Sequence, residues 1–167
     1  MPIQRLNHAV LYVRDVSRSV AFYQEALGFR VVNSFPGAAF LQASGSTNDH
    51  DLGLFQIGAQ AGPSAAGRST VGLYHLAWEV DTLAELERVS VKLAEIGSLA
   101  GASDHSTTKA LYAKDPDGIE FEVSWLVPAA LLDEETLAGR SHIRPLDIPK
   151  ELERYGSQTR GGVGVSI

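Results

Sequence analysis

The sequence predicts an α+β fold of two βαβββ modules that share one curved sheet, followed by a C-terminal extension. Three observations predict it. A short pattern occurs twice, as His8-Ala9-Val10-Leu11-Tyr12-Val13 and as His75-Leu76-Ala77-Trp78-Glu79-Val80, at an offset of 67 residues between the histidines. Each copy meets an acidic residue, Asp15 or Asp81, and passes into helical spacing. Each helical stripe is then followed by short apolar runs broken by turn residues. A self-similar pattern of this kind decides architecture before any single element does.

In the first module, Val16, Val20, Tyr23 and Leu27 recur on one helix face, with Asp15 or Ser17 placed to cap the start and Gly28 placed to end it. In the second, Leu83, Leu86, Val89, Leu93 and Ile96 form the matching stripe. Thr82 and Glu85 have capping-box spacing, and Gly97 is the stop. After the first helix, Phe29 to Val32, Ala38 to Gln42 and Leu52 to Ile57 read as strands, with Pro36-Gly37 as a turn. After the second, Ala110 to Ala113 and Ile119 to Trp125 read as strands around Asp115-Pro116-Asp117-Gly118, so the second module shows one strand fewer. Gly58 to Thr70, rich in Gly, Ala and Ser, reads as a linker. Beyond Val127 the pattern changes to a proline-punctuated, polar tail.

Composition narrows the function classes. The 167 residues are 44% hydrophobic and 20% charged, a globular balance, and suffice for one domain with a sizeable core. A net charge of -6 disfavours a nucleic-acid footprint. No apolar run reaches the roughly 18 residues of a membrane span, and the N-terminus lacks the apolar stretch of a signal peptide. There is no cysteine, which excludes disulfides, thiolate metal sites and a thiol nucleophile. The expectation is a cytoplasmic protein that binds neither membrane nor nucleic acid.

Strand parity gives the histidines their interest. Ala9, Leu11 and Val13 form an apolar face suited to the helix, which leaves His8, Val10 and Tyr12 on the other; Leu76 and Trp78 likewise oppose His75. Two histidines at equivalent places in a pseudo-repeat would meet near its twofold axis. On the last strand Ile119, Phe121 and Val123 take the helix side, so Glu120 and Glu122 take the histidine side. A carboxylate there is costly unless paired, solvated or metal-bound. His8, His75 and Glu122 are therefore the candidate metal ligands, and the curved sheet would enclose the metal. Two imidazoles and a carboxylate suit Fe(II) with open positions, and Mn(II), Zn(II), Ni(II) or Co(II) could occupy the same set. Glu120 is read as solvated or as a neighbour of the ligands rather than a ligand, His142 as structural or solvated, and His50 as a surface loop residue within reach of the pocket mouth.

The paired halves, the two histidines and the run Leu111-Tyr112-Ala113-Lys114-Asp115-Pro116-Asp117-Gly118-Ile119-Glu120-Phe121-Glu122 together resemble the vicinal oxygen chelate superfamily. Glyoxalase I, fosfomycin- and bleomycin-resistance proteins and extradiol ring-cleaving dioxygenases belong to it. The resemblance covers roughly residues 4–127. It implies one domain over 1–127, with modules of about 4–58 and 71–127, and an extension over 128–167. The second half looks most like single-domain catechol 2,3-dioxygenases, because His105 precedes Leu111-Tyr112 and Glu122 lies ten residues after Tyr112. That likeness implies an acid–base role for His105 and a hydrogen bond from Tyr112 to a substrate oxygen. It also implies a small aromatic substrate, O₂ as co-substrate and a homodimer. A glyoxalase-like isomerase, lyase or thiol transferase is the alternative; it would want a fourth protein ligand from the first half, for which Gln56 is the candidate. A non-enzymatic drug-binding resistance protein is the third reading, and the metal triad argues against it.

Overall fold

The computed structural model describes residues 2–3, 5–67 and 69–162. The elements run β1 (Ala9–Val13), α1 (Val16–Leu27), β2 (Arg30–Phe35), β3 (Ala38–Gln42), β4 (Leu52–Gln56), β5 (Leu76–Glu79), α2 (Leu83–Glu95), β6 (Leu99–Asp104), β7 (Thr108–Lys114) and β8 (Glu120–Leu126). Past these come α3 (Glu134–Ala138), β9 (Arg144–Pro145) and α4 (Ile148–Tyr155). The ladders form two mixed sheets, ordered β1-β4-β3-β2 and β5-β8-β7-β6-β9. The βαβββ order thus occurs twice. The fourth strand of the second module is β6, which pattern reading missed: Leu-Ala-Gly-Ala-Ser-Asp has no β-branched residue, and its register slips between Leu99 and Gly101.

Local chemistry sets the helix ends. The Asp15 carboxylate accepts the Arg18 N–H at 3.0 Å to open α1. Gly28, at φ 70°, closes it, with its N–H on the Gln24 carbonyl at 3.0 Å and the Phe29 N–H on that of Tyr23 at 3.2 Å. Thr82 Oγ1 opens α2 by accepting the Glu85 N–H at 3.3 Å.

Two compact units result, Met1–Ala65 with Asp115–Gly118, and Ala66–Lys114 with Ile119–Ile167. In the first, Phe22, Tyr23 and Ala26 of α1 are buried, as are Leu11 and Val13 of β1, Leu41 of β3, and Leu52 and Leu54 of β4. Val10 and Tyr12 point to the exposed face, as the alternation required. The Asp-Pro-Asp-Gly turn belongs to this first unit although its sequence lies in the second half. Asp117 pairs with Arg14 Nη1 at 2.8 Å and accepts the Arg14 backbone N–H at 3.0 Å, while Asp115 accepts the Tyr23 hydroxyl at 3.3 Å. Burial, then the Asp115 charge, pushes the Tyr23 phenol well above its ordinary range, so Tyr23 stays a neutral donor. The turn is thus an architectural anchor.

In the second unit Leu83, Leu86, Val89 and Leu93 of α2 are buried together with Leu111 and Ala113 of β7 and Phe121 and Val123 of β8. The segment after Val127 folds into this unit. β9 pairs with β6 through Ser103↔Pro145 and Asp104↔Arg144. Trp125 Nε1 donates to the Thr159 carbonyl at 3.2 Å, and the Gly161 N–H to that of Asp81 at 2.7 Å. A Cβ on Gly161 would sit 2.6 Å from Trp125 Cδ1, so only glycine fits there. Among the described residues no helix is long and apolar enough to cross a membrane.

Candidate metal centre

His75 directly precedes β5, Glu122 lies on β8, Tyr112 on β7, and His105 on the β6–β7 turn. Parallel pairing of β5 with β8 aligns Ala77 with Glu122, and antiparallel pairing of β7 with β8 aligns Tyr112 with Glu122. The four side chains make one connected line. His75 Nε2 stands 3.3 Å from Glu122 Oε2. Tyr112 stands opposite Glu122 across the β7–β8 pair, where the carboxylate acts on its phenol, and its oxygen is 2.9 Å from His105 Nε2. A phenol has one proton: if it goes to Glu122, the His105 bond runs from Nε2–H to the Tyr112 oxygen. Burial first, then the Glu122 charge and hydrogen bond and neighbouring Tyr74, push the Tyr112 phenol up to about 12. Tyr112 therefore holds its proton at neutral pH.

The side chains of His75 and Glu122 are only 24% and 14% exposed. His75 Nδ1 is buried with no hydrogen-bond partner among the described residues. An imidazole nitrogen and a carboxylate oxygen at this spacing repel through their lone pairs unless a proton or cation lies between them. Two donors each ~2.1 Å from one ion at about a right angle would stand roughly 3.0 Å apart. The pair therefore fits two adjacent corners of a divalent-metal shell.

His8 occupies the corresponding place in the first unit, directly before β1. It is exposed, its Nδ1 lies 2.7 Å from Asn7 Oδ1, and its ring is 4.5 Å from that of His50, which in turn meets Phe40 at 5.0 Å. His50 is thus a packed neighbour of His8. Its loop is held by Asp51, whose carboxylate accepts from Ala43, Ser46 and Asn48. Among the described residues, no group of three or more metal-ligating side chains stands assembled; the line in the second unit joins His75 and Glu122 only.

Gln56 does not offer a fourth ligand, because its Oε1 accepts the Val16 N–H at 3.1 Å and serves the start of α1. The strand that matches β8 is β4, where Ala9↔Leu52 and Val10↔Gly53 repeat Leu76↔Phe121 and Ala77↔Glu122. The first-unit counterpart of Glu122 is therefore Gly53. Aligning Leu52-Gly53-Leu54 with Phe121-Glu122-Val123 would have found it from the sequence. The contact of His50 with His8 carries no such periodic signal. Glu120 is half-buried, and the exposed His142 ring lies 3.2 Å from Ser141 Oγ.

Residues 5–123 match the family described as the Glyoxalase/Bleomycin resistance protein/Dioxygenase superfamily. A catechol-2,3-dioxygenase of Bacillus subtilis is 33% identical over 121 residues, covering 71% of this chain and 40% of the relative. The match therefore spans less than half the length of that enzyme. A lactoylglutathione lyase of Neisseria meningitidis is 28% identical over 133 residues, covering 71% of this chain and 88% of the relative. A solved glyoxylase/bleomycin resistance protein/dioxygenase domain from Frankia superposes with a TM-score of 0.62 at 20% identity, covering 77% of this chain and 96% of that one. The chain belongs to the glyoxalase/bleomycin resistance protein/dioxygenase superfamily.

Proposed function

We propose that this chain is a metal-dependent extradiol dioxygenase that opens a catechol-like ring with O₂, its metal held by His8, His75 and Glu122. The observation that supports this reading is the line His75–Glu122–Tyr112–His105, which would set the acid–base group His105 and its partner Tyr112 beside two of the proposed metal ligands. The metal, Fe(II) or Mn(II) in this reading, would supply Lewis acidity and electron transfer to O₂. His105 takes a proton from a catechol hydroxyl as the substrate binds and later returns it to a product oxygen. Tyr112, locked as a neutral phenol, donates a hydrogen bond to the substrate oxygen and keeps it oriented. Gly53 leaves the first unit without a carboxylate at the place matching Glu122, which favours open positions for substrate and O₂ over a closed shell.

A glyoxalase-like isomerase, lyase or thiol transferase is the second reading, favoured by the lactoylglutathione lyase that the chain covers over most of its length. Oxygen uptake separates the two. Protein loaded anaerobically with Fe(II) and mixed with a panel of catechols is expected to consume O₂ and form a yellow ring-fission product. His105→Ala and Glu122→Ala should abolish both. No uptake with any catechol, despite one bound metal per chain, would overturn the dioxygenase reading and favour the second.

A further inference from the structure

His105 sits on a turn that is itself under strain. Ser106 adopts φ 68°, in the left-handed region that L residues avoid. It is nonetheless buried, and so is Thr107. Such a turn persists only when its surroundings over-determine it. From within the sheet, Asp104 Oδ1 accepts the Ser106 N–H at 2.7 Å, and the Val127 N–H donates to the Thr107 carbonyl at 3.0 Å. Within the turn, the His105 N–H donates to the Thr108 carbonyl and the Thr107 N–H to the His105 carbonyl, each at 2.9 Å. Further restraints come from the segment after Val127. Ser106 Oγ donates to the Thr136 carbonyl at 2.7 Å. Gly139 packs so closely on Ser106 that a Cβ there would lie 2.9 Å from Ser106 Cβ and closer still to its Oγ. Arg144 on β9 pairs with Asp104 on β6.

A buried ion cluster completes the clamp. Lys109 is 1% exposed, yet its ammonium lies 2.5 Å from Asp104 Oδ1 and 3.0 Å from Glu151 Oε2 of α4. The oxygen that holds the Ser106 N–H is thus the same oxygen that holds Lys109. No step of the proposed chemistry uses Lys109 or Glu151.

We propose that the C-terminal segment positions His105, with Ser106, acting through its hydroxyl on Thr136, and Glu151, acting through the Asp104–Lys109 pair, as positioning residues that hold the His105 Nε2–Tyr112 hydrogen bond. This rests on reading His105 as the acid–base group. It predicts that loosening the clamp frees the imidazole without touching a metal ligand.

The test uses the full chain and three variants. Ser106→Ala deletes one hydroxyl, Glu151→Gln deletes one charge at constant volume, and Gly139→Ala pushes on Ser106. Long-range ¹H–¹⁵N spectra report the His105 tautomer, and steady-state kinetics report its use. Wild type should show a single fixed tautomer at His105. The variants should show averaged imidazole nitrogen shifts, with kcat down about tenfold and KM within about twofold, the pattern of a lost transition-state contact. An unchanged His105 spectrum in folded Ser106→Ala would overturn the inference, even if Glu151→Gln failed to fold. Because the spectra need no turnover, averaged His105 signals in variants of a wild type that consumes no O₂ would sink only the dioxygenase reading. Unchanged signals beside an active wild type would sink only the positioning.

Discussion

Replacing Lys109 by methionine tests whether the buried ion cluster holds the second unit together. Lys109 is 1% exposed and its two carboxylate partners, Asp104 and Glu151, are 13% and 6% exposed. Methionine keeps most of the stem's length, on a residue that lies opposite Trp125 across β7–β8 and carries its ammonium 5.7 Å from the centre of the Tyr155 ring. What is lost is the cation between two carboxylates. Removing one partner of a buried ion pair costs about 3–5 kcal/mol, because the remaining charge is left desolvated. In a chain of this size each kcal/mol moves Tm by about 2–4 °C, so Lys109→Met should melt roughly 6–20 °C below wild type. Urea unfolding at pH 7 measures the free energy directly. The loss should shrink as pH falls toward 4, since protonating either carboxylate removes the uncompensated charge. Pairing Lys109→Met with Glu151→Leu and Asp104→Asn should recover most of the stability by removing the orphaned charges. A Lys109→Met protein within about 1 kcal/mol of wild type at pH 7 would show instead that the cluster is hydrated and holds little of the unit's stability.

Three further outcomes follow from the same geometry. Burial alone would raise the Asp104 carboxyl, but Lys109, the Ser106 N–H and Arg144 hold it below its usual range; its stabilising share is therefore complete above about pH 4 and lost as pH falls through the lowered value. Asp104→Asn should lower stability at pH 7 and flatten that acid limb in a pH series of urea midpoints. Gly28→Ala has room for its Cβ, 3.7 Å from Ser44 Oγ, so its cost should be the left-handed backbone alone, about 1 kcal/mol by urea unfolding. Gly53→Glu adds a carboxylate where a Cβ makes only ordinary contacts, 3.4 Å from Val10 and 3.5 Å from Phe40. It should fold, bind metal at least as tightly by competition with a chelator, and lose O₂ uptake.

The repeat made much of this legible. A period of two on β1 and β8 and of 3.6 on α2 placed their buried faces, except that Ile96 is exposed. On α1 the buried face is Ser19, Phe22, Tyr23 and Ala26, so of the expected stripe Val16, Val20, Tyr23 and Leu27 only Tyr23 is buried; the small Ser19 and Ala26 let the helix sit close to its sheet but carry no apolar signal. Asp15, Thr82 and Gly28 announced their caps because each supplies the one group its helix end lacks. The histidines proved to sit one residue outside their strands, which alternation alone does not mark. β6 was missed because small residues there yield strand stability to pairing on both sides, by β7 and β9. The C-terminal segment read as an appendage because its role lies in single long-range contacts: Glu151 on Lys109, Gly139 on Ser106, Gly161 on Trp125. None of these leaves a periodic trace. Tyr112 and His105 came from resemblance, and their 2.9 Å contact follows from a three-residue turn that no spacing rule would supply.

Equilibrium dialysis of the full chain against Fe(II), Mn(II) and Zn(II), with bound metal counted per chain by elemental analysis, is the most direct measurement. One divalent ion per chain, lost in each of His8→Ala, His75→Ala and Glu122→Gln but kept in His50→Ala and Glu120→Gln, is the result predicted. Full metal binding in His8→Ala, or none in wild type, would contradict it.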